Sequence, residues 1–155
     1  MERNIKNKDE DSKIIVKLKK IDDSAIAPAY SSNGAAGMDL YSMDNVTINP
    51  GETVKIHTGI CMELPSGYVG IIAARSGLGI NKGLSPANKI GVIDEDYRGE
   101  VIVALHNDSQ EQRIINSGDR IAQMLIIEYN HVEFEIVDEL SDTVRGEGKF
   151  GSTGK

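Results

Sequence analysis

The sequence predicts an all-β fold, a sandwich or jelly roll of short strands. Three observations carry this. Short β-prone runs recur along the chain, turn chemistry separates them, and no stretch of about ten residues keeps the 3.6-residue apolar period of a helix. The first run is Ile14-Ile15-Val16-Lys17-Leu18, and Thr53 to His57 follows with apolar and polar residues alternating. Tyr68 to Ala73, Glu100 to His106, Ile121 to Glu128 and Val132 to Val137 complete the set. The turns between them are Asn49-Pro50-Gly51-Glu52, Leu64-Pro65-Ser66-Gly67, Ser85-Pro86-Ala87-Asn88 and Asn116-Ser117-Gly118-Asp119. Each is rich in residues that tolerate positive φ, preset φ, or bond their own backbone. Ser76 to Gly83 has room for one short helix.

Composition narrows the function classes. A chain of 155 residues fits one domain, large enough to bury ~70% of the surface its unfolded form exposes. With five Tyr, two Phe and no Trp, its core must be mostly aliphatic. A net charge of −7 argues against nucleic acid as the main partner, because binding a phosphate backbone needs a basic face. A small phosphorylated ligand held by a few local cations remains compatible. The lone Cys61 has no disulfide partner, which suits a cytoplasmic, or in a eukaryote nuclear, location. No apolar run approaches the ~20 residues of a membrane span, so no membrane partner is expected. Residues 1–12 are mostly polar or charged and are expected to form a disordered tail rather than a secretory signal. Residues 13–140 form the expected folded domain, and 141–155 a Gly-rich arm.

The arm is unusual in charge. Residues 145–155 carry +2 while residues 1–144 carry −9. They also hold Phe150, one of only two Phe, where there is no core to receive it. Backbone donors with Arg145, Ser152 and Thr153 around an aromatic ring suit a nucleotide cover; a flexible tag is the plainer alternative.

Other segments also carry chemistry-bearing residues. In Gly91-Val92-Ile93-Asp94-Glu95-Asp96-Tyr97-Arg98-Gly99-Glu100, an acidic turn read alone is a solvated β-hairpin. Tyr97 beside Asp94 pairs a flat ring for a sugar with a carboxylate able to take a proton from water. Arg75-Ser76-Gly77 is either a strand-to-helix junction capped by Ser76 or a phosphate cradle of amides, hydroxyl and guanidinium. Gln123 interrupts an apolar run, and Asp39 stands alone among small and apolar neighbours. The three scattered His and the single Cys lack zinc-ligand spacing, and no nucleophile elbow is present. Magnesium carried by substrate phosphates stays open.

Taken together, AAGMDLYS (35–42), RSGLGINKG (75–83), GVIDEDYRGEV (91–101), GDRIAQMLI (118–126) and RGEGKFGSTG (145–154) resemble, in order, the five motifs of the trimeric dUTP diphosphatase (dUTPase) family. The resemblance implies a jelly-roll (β-clip) subunit of a homotrimer with active sites shared between chains. It implies Mg2+-dependent hydrolysis of dUTP to dUMP and pyrophosphate, which keeps uracil out of DNA and supplies dUMP for thymidylate synthesis. Asp94 would deprotonate the water that attacks the α-phosphorus. Tyr97 would pack under the deoxyribose and exclude a 2′-hydroxyl. Asn88, in the hairpin leading to Asp94, would read the uracil edge. Arg75, Ser76, Gly77 and Gln123 would hold phosphates, while Arg145, Gly151, Ser152 and Thr153 clamp the γ-phosphate and Phe150 stacks on uracil. Asp39 would organise a water and interface network around a metal that has no direct protein ligand. The last motif commonly reads R-G-x-G-G-F-G, and Lys149 stands here at the second of its adjacent glycines. Two alternatives share the scaffold. The dCTP deaminase branch is disfavoured by the IDEDYRG turn and FGSTG tail, and a regulator built on this fold has no need of the full catalytic set.

Overall fold

A computed structural model describes residues 13–148. The strands are β1 Lys17–Lys20, β2 Ala29–Tyr30, β3 Met38–Tyr41, β4 Val46–Ile48, β5 Thr53–Glu63, β6 Tyr68–Ala73, β7 Leu84–Pro86, β8 Ile90–Ile93, β9 Glu100–Asn107, β10 Arg113–Ile115 and β11 Arg120–Glu128. The only helix among the described residues is α1, Ser76–Lys82, in the place expected for one. Two antiparallel sheets face each other, one ordered β1-β5-β9-β7 and the other β2-β3-β11-β6-β8, with a small β10-β4 ribbon beside them. The all-β expectation holds. No helix among the described residues is long and apolar enough to cross a membrane.

Alternation explains the layering. Along β9, Val101, Val103 and Leu105 point inward and are almost fully buried. They meet Ile56 and Ile60 of β5, with Leu40 and Met124 from the opposite sheet in the same cluster. The core is aliphatic, as the shortage of aromatics required. Burial at ~25 cal/mol per Å2 makes this cluster the main source of stability. Strand β5 is longer than the Thr53 to His57 run because it continues through a bulge, where its register with β9 slips between His57 and Cys61. Gly59 sits in that bulge with φ +70°, a conformation that favours glycine.

Two expectations require correction. The acidic turn is not a hairpin, because β8 pairs with β6 in the five-stranded sheet while β9 pairs with β5 and β7 in the four-stranded one. Residues 94–99 therefore carry the chain across the sandwich. The turn at Asn88 likewise leads from one sheet to the other. Local turn chemistry is the same for a hairpin and a sheet-switching corner, so only the long-range register separates them. Val132 to Val137 forms no strand, although Phe134 and Ile136 are 90% and 98% exposed and alternate with Glu133 and Glu135. A strand needs a partner for its backbone groups, and this run pairs with no strand among the described residues.

Candidate active site

One cavity gathers residues from three of the motifs. On β11, Gln123 lies between Asp39 of β3 and Ala73 of β6. Arg75, Ser76 and Gly77 follow directly where β6 ends and α1 begins. Asp39, Arg75, Ser76, Gly77 and Gln123 thus line one cavity of about 450 Å3 with Gly37 and Ala36. Asp39 is only 7% exposed. Its Oδ1 accepts from Arg75 Nε at 2.7 Å and its Oδ2 from Arg120 Nη1 at 3.2 Å. A carboxylate this buried needs such partners. Two guanidinium groups around one carboxylate leave a positive surplus, which suits a phosphate. Gln123 donates its Nε2 hydrogen to the Ala74 carbonyl at 2.9 Å. A Cβ on Gly37 would stand 2.9 Å from Gln123 Oε1, so glycine gives that amide its room. Arg75, not Ser76, occupies the N-cap position, with extended φ −82° and ψ 132° and no side-chain cap. The capping alternative for Ser76 is not what the chain adopts.

The acidic turn builds a second, smaller cavity of about 160 Å3, lined by Val92, Ile93, Asp94, Tyr97, Glu100 and Ile102. The Tyr97 amide donates to the Asp94 carbonyl at 3.2 Å, closing the turn. Arg98 Nη1 donates to the carbonyls of Glu95 and Tyr97 at 2.6 and 3.0 Å and stiffens it. The acids of the turn have different tasks. Glu95 accepts from the Gly67 amide at 2.5 Å and the Ser66 hydroxyl at 3.2 Å, tying the turn to the 64–67 loop. That amide hydrogen bond is the main reason its carboxyl is held below the usual glutamate range. Asp94 instead lines the cavity together with Tyr97. The Tyr97 hydroxyl donates to the Glu100 carbonyl at 3.0 Å, and its ring lies over Gly99.

The two cavities share no lining residue. Register explains why. Ile93, just before Asp94, pairs with Gly70, whereas Arg75 follows Ala73 at the opposite end of the β6–β8 ladder. Asp94 and Arg75 are thus some six positions apart along β6, roughly 20 Å at ~3.3 Å per residue.

The other expected site residues fall elsewhere. Asn88 is exposed in the β7–β8 corner, with its Nδ2 over Gly91 and its carbonyl accepting from the Ile90 amide at 2.7 Å. Arg145 lies in an exposed turn, donating to the Gly148 carbonyl at 3.2 Å. Phe150, Gly151, Ser152 and Thr153, with Lys149 and the 1–12 tail, lie outside the described residues. Arg120, Gly37, Gly99 and Glu100 emerge as site residues only from the structure. All four lie in the motifs named above, two or three residues from Asp39, Tyr97 or Gln123, so proximity along the chain was the available signal. Among the described residues no group of three or more His, Cys, Asp or Glu is placed to hold a metal ion.

Comparison with known proteins places this geometry. The profile of the family described as dUTPase matches residues 23–154. A deoxyuridine 5'-triphosphate nucleotidohydrolase from Hydrogenobaculum sp. is 48% identical over 138 residues, covering 88% of this chain and 96% of the relative. Its namesake from Desulfitobacterium hafniense is 51% identical over 130 residues, covering 82% and 86%. Among solved structures, the dUTPase of Staphylococcus bacteriophage 80alpha with dUpNHpp superposes with a TM-score of 0.80 at 27% identity, covering 91% of this chain and 99% of that one. The dUTPase from phage phi11 of S. aureus, at 24% identity and a TM-score of 0.76 over 83% of this chain and 99% of its own, shares the fold. A family match that runs through all five motifs, with relatives near half identical over most of their length, means that the chain belongs to the dUTPase family of nucleotide hydrolases.

Proposed function

We propose that this protein hydrolyses dUTP to dUMP and pyrophosphate, in sites assembled between copies of the chain. The observation that carries the reading is the small cavity that Asp94 and Tyr97 line together. It offers a carboxylate for a water proton and a ring for the sugar, while its neighbouring acid, Glu95, is occupied in holding the turn.

In this reading Asp94 takes a proton from water as the water oxygen bonds to the α-phosphorus. The bond to the bridging oxygen then breaks, and pyrophosphate leaves with its electron pair. Arg75, Ser76, Gly77 and Gln123 fix the phosphate oxygens, so the attacking line is set before reaction. Tyr97 supports the deoxyribose, and a 2′-hydroxyl would collide with its ring. Asn88 reads the uracil edge, where a wrong base leaves buried polar groups unpaired. Arg145, Gly151, Ser152 and Thr153 close over the γ-phosphate and Phe150 covers the base, which excludes water.

The donor set suits magnesium that arrives with its substrate. The only carboxylate among the described residues lining the phosphate cavity, Asp39, is held by two guanidiniums, leaving it suited to metal-bound waters rather than to direct ligation. When bound, Mg2+ would neutralise phosphate charge.

The roughly 20 Å between Asp94 and Arg75 supports sharing. One α-phosphorus cannot touch both groups of the same chain, so Asp94 and Tyr97 of one copy would meet the phosphate cavity of another. A homotrimer with three shared sites satisfies this. Exposed Val132, Phe134 and Ile136, followed by the exposed 138–147 segment, supply a route by which the C-terminal arm leaves its own subunit. The activity would hold the dUTP pool low and keep uracil out of DNA, with dUMP passing to thymidylate synthesis.

Pyrophosphate release is to be measured with dUTP, UTP, dTTP and dCTP, with and without Mg2+. dUTP is expected to be the preferred substrate, and only with the metal. Ammonia from dCTP, or equal rates on UTP, would overturn the assignment.

A further inference from the structure

Glu100 holds three groups at the mouth of the Asp94 cavity. Its backbone carbonyl accepts the Tyr97 hydroxyl hydrogen at 3.0 Å. Its Oε1 accepts from the Gly59 amide at 2.8 Å, and its Oε2 lies 2.8 Å from His57 Nδ1. His57 is anchored in turn, since its amide donates to Asp44 Oδ2 at 2.7 Å and its carbonyl accepts from the Met43 amide at 2.8 Å. A chain of contacts therefore runs from the 42–45 loop through the β5 bulge to the Tyr97 ring.

We propose that Glu100 and His57 form a brace that positions Tyr97, and through it sets the selection of deoxyribose over ribose. This rests on the dUTP reading above. The ring needs such a brace. Tyr97 is 42% exposed, and at Gly99 there is no side chain beneath it. Its hydroxyl is held by one backbone carbonyl, and that carbonyl points where the Glu100 backbone directs it. The Glu100 side chain, 15% exposed, is fixed through both oxygens, so this backbone has little freedom. Rejecting one hydroxyl requires placement to well under 1 Å, because errors near 1 Å change rates on the order of 100-fold. Neither Glu100 nor His57 touches substrate in this scheme. They are positioning residues.

The test compares kcat/KM for dUTP and UTP in the wild type, Glu100→Ala, Glu100→Gln and His57→Ala, each checked for folding by thermal unfolding. His106→Ala is the control. It removes the Thr53 Oγ1–His106 Nδ1 contact of 2.8 Å at the far end of the same β5–β9 pair, and so weakens the sheet without touching the brace. Glu100→Ala is expected to lower the dUTP-to-UTP ratio at least tenfold, with a raised KM for dUTP. Glu100→Gln, which still accepts from the Gly59 amide, should fall between it and wild type. His57→Ala should shift the ratio in the same direction, and His106→Ala should leave it unchanged. A folded Glu100→Ala with the wild-type ratio overturns the brace, as does an equal loss in His106→Ala. If Glu100→Ala does not fold, Glu100→Gln and His57→Ala both at the wild-type ratio overturn it. A wild type that does not hydrolyse dUTP overturns the functional reading and the brace with it. A selective wild type whose variants keep its ratio overturns the brace alone.

Discussion

Replacing Gly99 by alanine separates what Tyr97 does for the fold from what it does for the substrate. A Cβ at position 99 would stand 2.6 Å from Tyr97 Cζ and 2.9 Å from Cε2, with the hydroxyl oxygen nearer still. Carbon atoms in contact sit ~3.5–4.0 Å apart, so the ring must retreat by about 1 Å. The retreat stretches the 3.0 Å hydrogen bond to the Glu100 carbonyl past its useful range. Because the ring is 42% exposed, it can swing into solvent without opening a cavity. The folding cost is then about one hydrogen bond, on the order of 0.5–1.5 kcal/mol. The cost to catalysis is larger. A substrate-positioning group displaced by ~1 Å costs roughly 100-fold, equivalent to about 2.7 kcal/mol at 1.36 kcal/mol per decade. Thermal unfolding and pyrophosphate release from dUTP and UTP measure the two effects on one sample. Gly99→Ala should unfold within a few degrees of wild type, while its dUTP kcat/KM falls on the order of 100-fold and its preference over UTP shrinks. Unchanged rate and preference would refute the seating of the ring. A stability loss above ~3 kcal/mol would refute its freedom to swing outward.

Four further outcomes are expected. Asp94→Asn should cut turnover by ~100-fold or more, the usual worth of a general base, while calorimetry still detects dUTP binding; undiminished turnover removes Asp94 from the mechanism. Ending the chain after Val144 should abolish activity without lowering the unfolding temperature, since Arg145, Gly146 and Glu147 are exposed; an active truncated protein would refute the clamp. Asp94→Asn and Arg75→Ala chains, each nearly inactive alone, should regain activity when refolded together, because mixed assemblies contain sites with both groups intact; no recovery in verified mixed assemblies counts against shared sites. Stability should also follow the His57–Glu100 pair with pH. The Glu100 hydrogen bond and charge, and then Asp44, raise His57 above its ordinary 6.5, so this contribution is complete below that value and lost as pH rises through the raised one. For Glu100, burial is the largest single influence and acts upward. The His57 contact and the Gly59 and Thr58 amides together outweigh it and hold the carboxyl below its ordinary 4.5, so its contribution is complete above that value and lost as pH falls through the lowered one. His57 is 53% exposed, so solvent screening keeps the effect small. A modest loss in unfolding temperature on the alkaline side, absent in His57→Asn, is the expected result.

The core was legible because alternation is local. In Thr53 to His57, Val54 and Ile56 alternate with polar, exposed Thr53, Lys55 and His57, and a period of two has one structural meaning when a partner strand exists. The same pattern in Val132 to Val137 misled, since it marks a face that wants covering and says nothing of which chain covers it. The bulge that extends β5 to Glu63 was hidden because Gly59 could as well end a strand as bend one. Arg120 escaped notice for a related reason. A charged residue opening a strand is ordinarily solvated, and only the β3–β11 pairing brings this one to Asp39.

Motif order and register bear on the site in opposite ways. In the proposed function Asp94 and Arg75 act on one substrate, because a base without phosphate ligands, or ligands without a base, performs no hydrolysis. The β6–β8 register puts them at opposite ends of a ladder inside one chain. A hinge that closed the gap would have to break this pairing, whose Ile72 is buried in the core. Opening the sandwich would cost on the order of the whole folding free energy, ~5–15 kcal/mol. Association of identical chains needs no such rearrangement. In the proposed assembly each copy would keep its sheets and offer an Asp94 cavity to one neighbour and a phosphate cavity to another. A closed ring would satisfy every cavity by symmetry, so under the proposed function the distance that disqualifies a single-chain site would make assembly a condition of activity.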